Sequence, residues 1–194
     1  HVDVVVFDNL SAGKLENIKR WLDAPNFQFV LGDLLFPEKI SEPLKGCETV
    51  FHLAANPEVK ISSENPKVHY EQNVLATFNL LEAIRKNDSV KTLIFASTST
   101  VYGDAQQIPT PEDYAPLKPI SVYGASKLAS EALITSYAYT YGFKAVIYRL
   151  ANIVGSRAQH GVIRDFIEKL KKNPKMLEIL GDGTQKKSYL HVKD

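Results

Sequence analysis

KTLIFASTSTVYG, residues 91–103, runs from an apolar stretch directly into four successive hydroxyl residues, Ser97 to Thr100. A short Val/Ile/Phe-rich run bounded by polar turn formers is the pattern of a buried strand. Its abrupt polar exit suits a strand whose carboxyl end faces a ligand, although the same residues also suit a plain turn. Four further segments share the pattern: VDVVVFD (2–8), FQFVLGD (27–33), TVFHLAA (49–55) and KAVIYRL (144–150). All are mostly apolar on both faces, as parallel strands covered by helices on both sides must be.

Between these runs the apolar period changes to three and four. GKLENIKRWL aligns Leu15, Ile18 and Leu22, and VHYEQNVLATFNLLEAIRKN aligns Val74, Phe78, Leu81 and Ile84. ASKLASEALITSYAYTYG behaves likewise and stops at Gly142, a natural helix terminator. Strand and helix in alternation predict a doubly wound, Rossmann-like α/β fold with a parallel sheet. After Leu150 the rhythm loosens into one helix over GVIRDFIEKLKKN and a turn, GDGTQ, before the short strand KSYLHV. The expected organisation is a dinucleotide-binding domain at 1–155 and the start of a small C-terminal substrate lobe at 156–194. In such sheets ligands bind beyond the carboxyl ends of the strands. Here those ends carry Asp8-Asn9, Gly32-Asp33, Ala54-Ala55, Ser97 to Thr100, and Asn152.

Composition narrows the function. The 194 residues carry a net charge of +1, with basic residues in nothing longer than pairs such as Lys171-Lys172, so a nucleic-acid partner is not expected. The one cysteine, Cys47, excludes an internal disulfide and suits a reducing compartment. No apolar run approaches the roughly 20 residues that span a bilayer, and no signal peptide leads the chain, so a cytoplasmic protein is expected. The five histidines have no metal-ligand spacing, and His52 reads as part of a strand, so no metal is expected.

Tyr-x-x-x-Lys occurs three times, at Tyr114/Lys118, Tyr123/Lys127 and Tyr189/Lys193. With nine tyrosines and eighteen lysines, roughly one match is due by chance. Pro116 interrupts the first, and the third lies in strand-like sequence, where residues four apart stand about 13 Å from each other. Only YGASK opens a helix, and only there do the side chains share one face. Lys127 is thus expected to lower the pKa of the Tyr123 phenol towards working pH and make it a general base. Thr98, 25 positions earlier, offers a hydroxyl to hold a substrate oxygen.

STSTVYGD, YGASK, RLANIVG and GDGTQKKSYLHVKD, in this order, resemble the extended short-chain dehydrogenase/reductase family. They are most similar to its NAD-dependent nucleotide-sugar 4-epimerases of the UDP-glucose/UDP-galactose type. The resemblance runs from residue 1 to residue 194. It implies that Tyr123, Lys127 and Thr98 are catalytic. It implies that Asp8, with Asn9 beside it, binds the adenosine ribose of NAD, that Asp33 and Leu34 hold the adenine, and that Phe51, Leu53, Ala54, Ala55 and Asn73 line the dinucleotide. Asn152, Val162 and Lys187, with Thr98, would face a UDP-sugar or another nucleotide sugar. Lys187 stands where many members have an arginine on the diphosphate. The resemblance also implies a glycine-rich phosphate loop ahead of residue 1 and a sugar lobe beyond Asp194. A chain starting at His1 is therefore expected to bind NAD poorly. Related enzymes dimerise through two helices per subunit, here 64–87 and 121–141, so a homodimer is expected for the full-length form.

Sugar 4,6-dehydratases resemble this chain but carry a glutamate where it has Thr100, and a hydroxyl cannot abstract a carbon-bound proton near neutral pH. The expected reaction is C4 epimerisation. A dehydratase or reductase of the same family, or an inactive dinucleotide-binding protein, stays as the alternative.

Overall fold

The structure, a computed structural model, describes residues 2–59, 61–158, 161–179, 181–184 and 186–194. It forms two compact units, His1–Arg149 and Leu150–Asp194. The first unit holds five strands, β1 (Val4–Asp8), β2 (Phe27–Leu31), β3 (Thr49–His52), β4 (Thr92–Thr98) and β5 (Lys144–Leu150), the last of which ends at the boundary. Each lies within or matches a segment expected from its apolar run. β1 pairs with β2 in parallel, from Val4 opposite Phe27 to Asp8 opposite Leu31. β3 pairs with β4 in parallel, from Thr49 opposite Thr92 to His52 opposite Phe95, and β4 pairs with β5 on its other side.

The Rossmann-like character is as expected, but the sheet is not continuous. β1–β2 and β3–β4–β5 are separate sheets, with no ladder between them among the described residues. Burial follows this division. Leu93 and Phe95 of β4 are fully buried, whereas β1 and β2 contain no fully buried residue, and Val4 and Leu31 are 42% and 66% exposed.

Helices α1 (Ser41–Leu44) and α4 (Ala76–Ile84) pack with α5 (Val122–Tyr141) around β4. Leu44, Leu80, Leu81, Ile84, Leu93, Phe95 and Ile134 make the centre of that core. Ahead of α4 lie the short helices α2 (Ile61–Glu64) and α3 (Lys67–His69), then a π-helical turn over Tyr70–Leu75. The periodic stretch at 68–87 is therefore helical but widened by one residue per turn at its start. The helix expected over residues 13–22 is instead two 3₁₀ turns, Leu15–Asn17 and Lys19–Trp21. Leu15 and Leu22 stay 40% and 36% exposed there. An isolated helix this short is marginal without an apolar surface to cover.

α5 is capped at both ends by its own sequence. Ser121 Oγ accepts the Gly124 N–H at 3.0 Å, and Gly142 takes φ +77 while its N–H bonds Ala138 O. The aromatic run near its end divides. Tyr137 packs edge-on against Phe78 and donates to Glu82 at 2.9 Å, while Tyr139 is 93% exposed.

The second unit contains β6 (Asn152–Val154) and β7 (Tyr189–His191), paired in parallel, and helix α6 (Val162–Lys172). No helix among the described residues is long and apolar enough to cross a membrane.

Candidate active site

Thr98 is the last residue of β4, and Tyr123 the second of α5. The Thr98 hydroxyl lies near enough to the Tyr123 phenol to pull its pKa down. Thr98 Oγ1 also accepts from Thr100 N–H and Thr100 Oγ1, both at 3.2 Å, which leaves its own proton free to point at the phenol oxygen. Helix geometry sets Lys127 one turn below Tyr123 on the same face. The three residues picked out by spacing are thus assembled where β4 meets the start of α5.

The electrostatics differ from the expectation. Burial lifts the Tyr123 pKa above that of a free phenol, and the nearby Thr98 hydroxyl only pulls it partway back. Lys127 is 3% exposed and sits with Nζ 4.1 Å from the centre of the Phe95 ring. Burial lowers its pKa to about 8, opposed by the charge of Glu131. In this arrangement the ammonium faces an aromatic ring and a carboxylate, and the net shift of the phenol is upward.

A buried polar network stands beneath the pair. Asn73, in the π-helical turn and 2% exposed, donates through Nδ2 to Ser126 Oγ at 2.9 Å and accepts the Asn56 N–H on Oδ1 at 2.7 Å. Ser126 Oγ in turn donates to Tyr123 O at 2.7 Å, and the Tyr123 N–H is taken by Ser62 Oγ at 3.2 Å. The π turn sets Asn73 to face α5, a known use of such local widening. Asn73, expected along a dinucleotide, is thus occupied as a strut between the β3 loop and α5. The His69 ring, fully buried, lies 5.7 Å from the Tyr123 ring.

The remaining expected residues fall in three places. Asp8 and Asp33 end β1 and follow β2 respectively. Asp8 Oδ1 accepts the Leu10 N–H at 2.7 Å, and Asn9 Nδ2 donates to Asp33 Oδ2 at 2.8 Å. Leu34 packs against the core while its carbonyl accepts Asn79 Nδ2 at 2.8 Å. Phe51 in β3 and Leu53 just after it are 64% and 67% exposed, with Ala54 exposed and Ala55 half-buried. Asn152, Val162 and Lys187 belong to the second unit, all exposed; Asn152 Nδ2 donates to Ser188 O at 3.0 Å.

This donor set fits a dinucleotide. A free carboxylate oxygen at the end of β1 suits ribose hydroxyls, and an uncovered apolar strip on β3 suits a flat ring system. Among the described residues, no group of three or more His, Cys, Asp or Glu is placed to hold a metal ion.

Spacing alone missed Glu131 and Arg149, which form a part-buried ion pair behind Lys127, with Ser97 hydrogen-bonded to the carboxylate. Two signals were available: the glutamate four places after Lys127, and an arginine inside the mostly apolar strand KAVIYRL.

A Rossmann-like sheet that ends in Thr98 against a helical Tyr123 and Lys127 defines the class of short-chain dehydrogenase/reductase-like proteins. More narrowly, the chain belongs to the NAD dependent epimerase/dehydratase family, whose model matches residues 1–194. The UDP-glucose 4-epimerase of Corynebacterium glutamicum is 32% identical over 208 residues, covering 99% of this chain and 60% of the relative. A crystal structure of UDP-galactose 4-epimerase is 48% identical with a TM-score of 0.85, covering 98% of this chain and 60% of that one. The dTDP-glucose 4,6-dehydratase DesIV of Streptomyces venezuelae, solved with NAD, is 31% identical with a TM-score of 0.89, covering 98% and 59%. The chain thus spans about three fifths of the length of these relatives.

Proposed function

We propose that the protein to which this chain belongs interconverts the C4 epimers of a nucleotide-diphosphate hexose of the UDP-glucose/UDP-galactose type. The observation that carries this is the Thr98 hydroxyl at the end of β4 beside the Tyr123 phenol at the start of α5, with Thr100 next to it where elimination of water would need a carboxylate. In this reading Tyr123 takes the proton from the sugar 4-hydroxyl and later returns it. Thr98 holds the same oxygen in line, and Lys127 supplies the positive charge that favours the phenolate. Asp8, Asn9, Asp33, Leu34, Phe51, Leu53, Ala54 and Ala55 would hold NAD, with Asn73 supporting the helix beneath it. When bound, NAD would supply a reversible hydride acceptor for C4 of the sugar. A carboxylate at Asp8 repels a 2′-phosphate and so favours NAD over its phosphorylated form.

Asn152, Val162 and Lys187 are assigned to the nucleotide sugar. In the same reading residues 1–155 are the dinucleotide domain and 156–194 open the substrate lobe. The whole protein is taken to be a cytoplasmic homodimer that packs helices 64–87 and 121–141. The test is Tyr123→Phe, assayed with UDP-galactose beside a measurement of NAD retention by native mass spectrometry. Loss of turnover with NAD retained supports the reading; turnover that survives the substitution defeats it.

A further inference from the structure

Glu131 lies one turn of α5 beyond Lys127 and is 5% exposed. A carboxylate there is unfavourable unless its charge and lone pairs are met. Arg149, near the end of β5, meets them with a forked contact: Nε lies 3.2 Å from both oxygens and a terminal nitrogen 2.8 Å from Oε2. Ser97 Oγ donates to Oε1. Arg149 is itself anchored, since it donates to Glu112 O at 3.1 Å and its guanidinium lies 5.0 Å from the centre of the Tyr102 ring.

One carboxylate therefore joins three elements at chosen points. It holds β4 at the residue just before Thr98, α5 at the turn just after Lys127, and β5 through Arg149. Apolar residues of like volume would join the same elements without burying a carboxylate. What they would not supply is a negative charge next to the Lys127 ammonium. The other groups near Lys127 provide none: Phe95 on β4 is a neutral ring, His52 on β3 is held neutral, and burial raises the pKa of Tyr123, one turn back on α5. Arg149, on β5, is positive and stands on the Glu131 carboxylate.

We propose that Glu131 is a positioning residue of the Thr98–Tyr123–Lys127 site, braced by Ser97 and Arg149 so that it keeps Lys127 charged in the interior and fixes the strand of Thr98 to the turn of Lys127. This rests on the reading of Tyr123 as the base and Lys127 as its charged partner. It adds that the charge on Lys127 is set from behind, by a group that touches no substrate.

The test is a titration of Lys127 itself. In protein labelled with ¹³C-lysine, the Lys127 Cε resonance is assigned by its loss in Lys127→Met and followed against pH in the parent, Glu131→Gln and Arg149→Gln. Removing the carboxylate leaves Arg149 repelling Lys127, so the midpoint falls by about one pH unit or more. Removing the guanidinium leaves an uncompensated carboxylate, so the midpoint rises by a similar amount. Opposite displacements support the proposal, because a merely structural pair predicts a common loss of stability without opposed titrations. Midpoints that move together, or do not move, overturn it. If Glu131→Gln does not fold, the rise in Arg149→Gln decides alone, and its absence overturns the proposal. The titration needs neither substrate nor turnover, so it stands apart from a failure of the epimerase reading.

Discussion

His52 Nε2 and Thr77 Oγ1 meet at 2.8 Å in the interior, joining strand β3 to helix α4. The single Thr77 hydroxyl proton goes to Asn73 O at 2.5 Å, so the histidine must be the donor to threonine, and its Nε2–H tautomer follows. Burial, with Lys127 adding to it, holds the His52 pKa down to about 3. The unfolded chain binds a proton at His52 near pH 6.5, while the folded one does not until about pH 3, so stability is lost as pH falls through that window. The loss reaches on the order of 4 kcal/mol at the acid end. His52→Gln, whose amide can still donate to Thr77, removes this sensitivity. Urea unfolding at pH 7, 5.5 and 4 should show the parent losing its advantage over the variant step by step.

Lys127 gives the opposite sign. Folded, it releases its proton at about pH 8; unfolded, it holds it to about pH 10.4. Below pH 8 both states are charged and the fold bears the full burden of a buried ammonium. Between the two values the fold has already shed the proton, so stability rises with pH. Lys127→Met is therefore expected to be more stable than the parent at pH 7 by about 1–3 kcal/mol. The gain should shrink towards zero near pH 10.5, as chemical denaturation across that range would register.

Thr98→Val keeps the shape at the end of β4 but removes the hydroxyl beside the Tyr123 phenol. The phenol pKa, already raised by burial, should rise further, because the group pulling it down is gone. Difference absorbance of the phenolate, read against Tyr123→Phe, should show its midpoint displaced upwards. Turnover should drop about 10²-fold or more, and Thr98→Ser should restore most of both.

Gly103 closes the turn that leaves β4. It takes φ +63, and a Cβ on it would stand 1.9 Å from Lys118 O, with which it shares an isolated parallel bridge. Gly103→Ala thus meets both a backbone clash and a disfavoured conformation, and a loss of about 3 kcal/mol or more in urea unfolding is expected.

Much of this was readable in advance, for local reasons. Apolar runs with polar ends marked all five strands of the first unit, and Gly142 marked the end of α5. Proline and strand context were enough to separate Tyr123/Lys127 from its two decoys. What was not readable depends on distant partners. The stretch at 13–22 has a helical period but no surface to cover, a fact that its own residues do not contain. Asn73 was noticed as a cofactor contact, but its bonds to Asn56 and Ser126 were not foreseen, because a π turn leaves no mark on hydrophobic spacing. Glu131 and Arg149 find each other across 18 residues, and nothing in a helix period or a strand run encodes that meeting. The division of the sheet was equally hidden, since each strand looks alike whichever neighbours it pairs with.

That division has a dynamic consequence. The amides of β4 lie in a ladder whose side chains, Leu93 and Phe95, are anchored among those of α4 and α5. Those of β1 and β2 lie in a ladder with no fully buried side chain beneath it. Backbone deuterium uptake should therefore record two clocks in one unit. Amides from Val4 to Asp8 and Phe27 to Leu31 should open through local excursions, at least about tenfold faster than those from Thr92 to Thr98. The end that carries Asp8 would then breathe while the end that carries Thr98 stays shut.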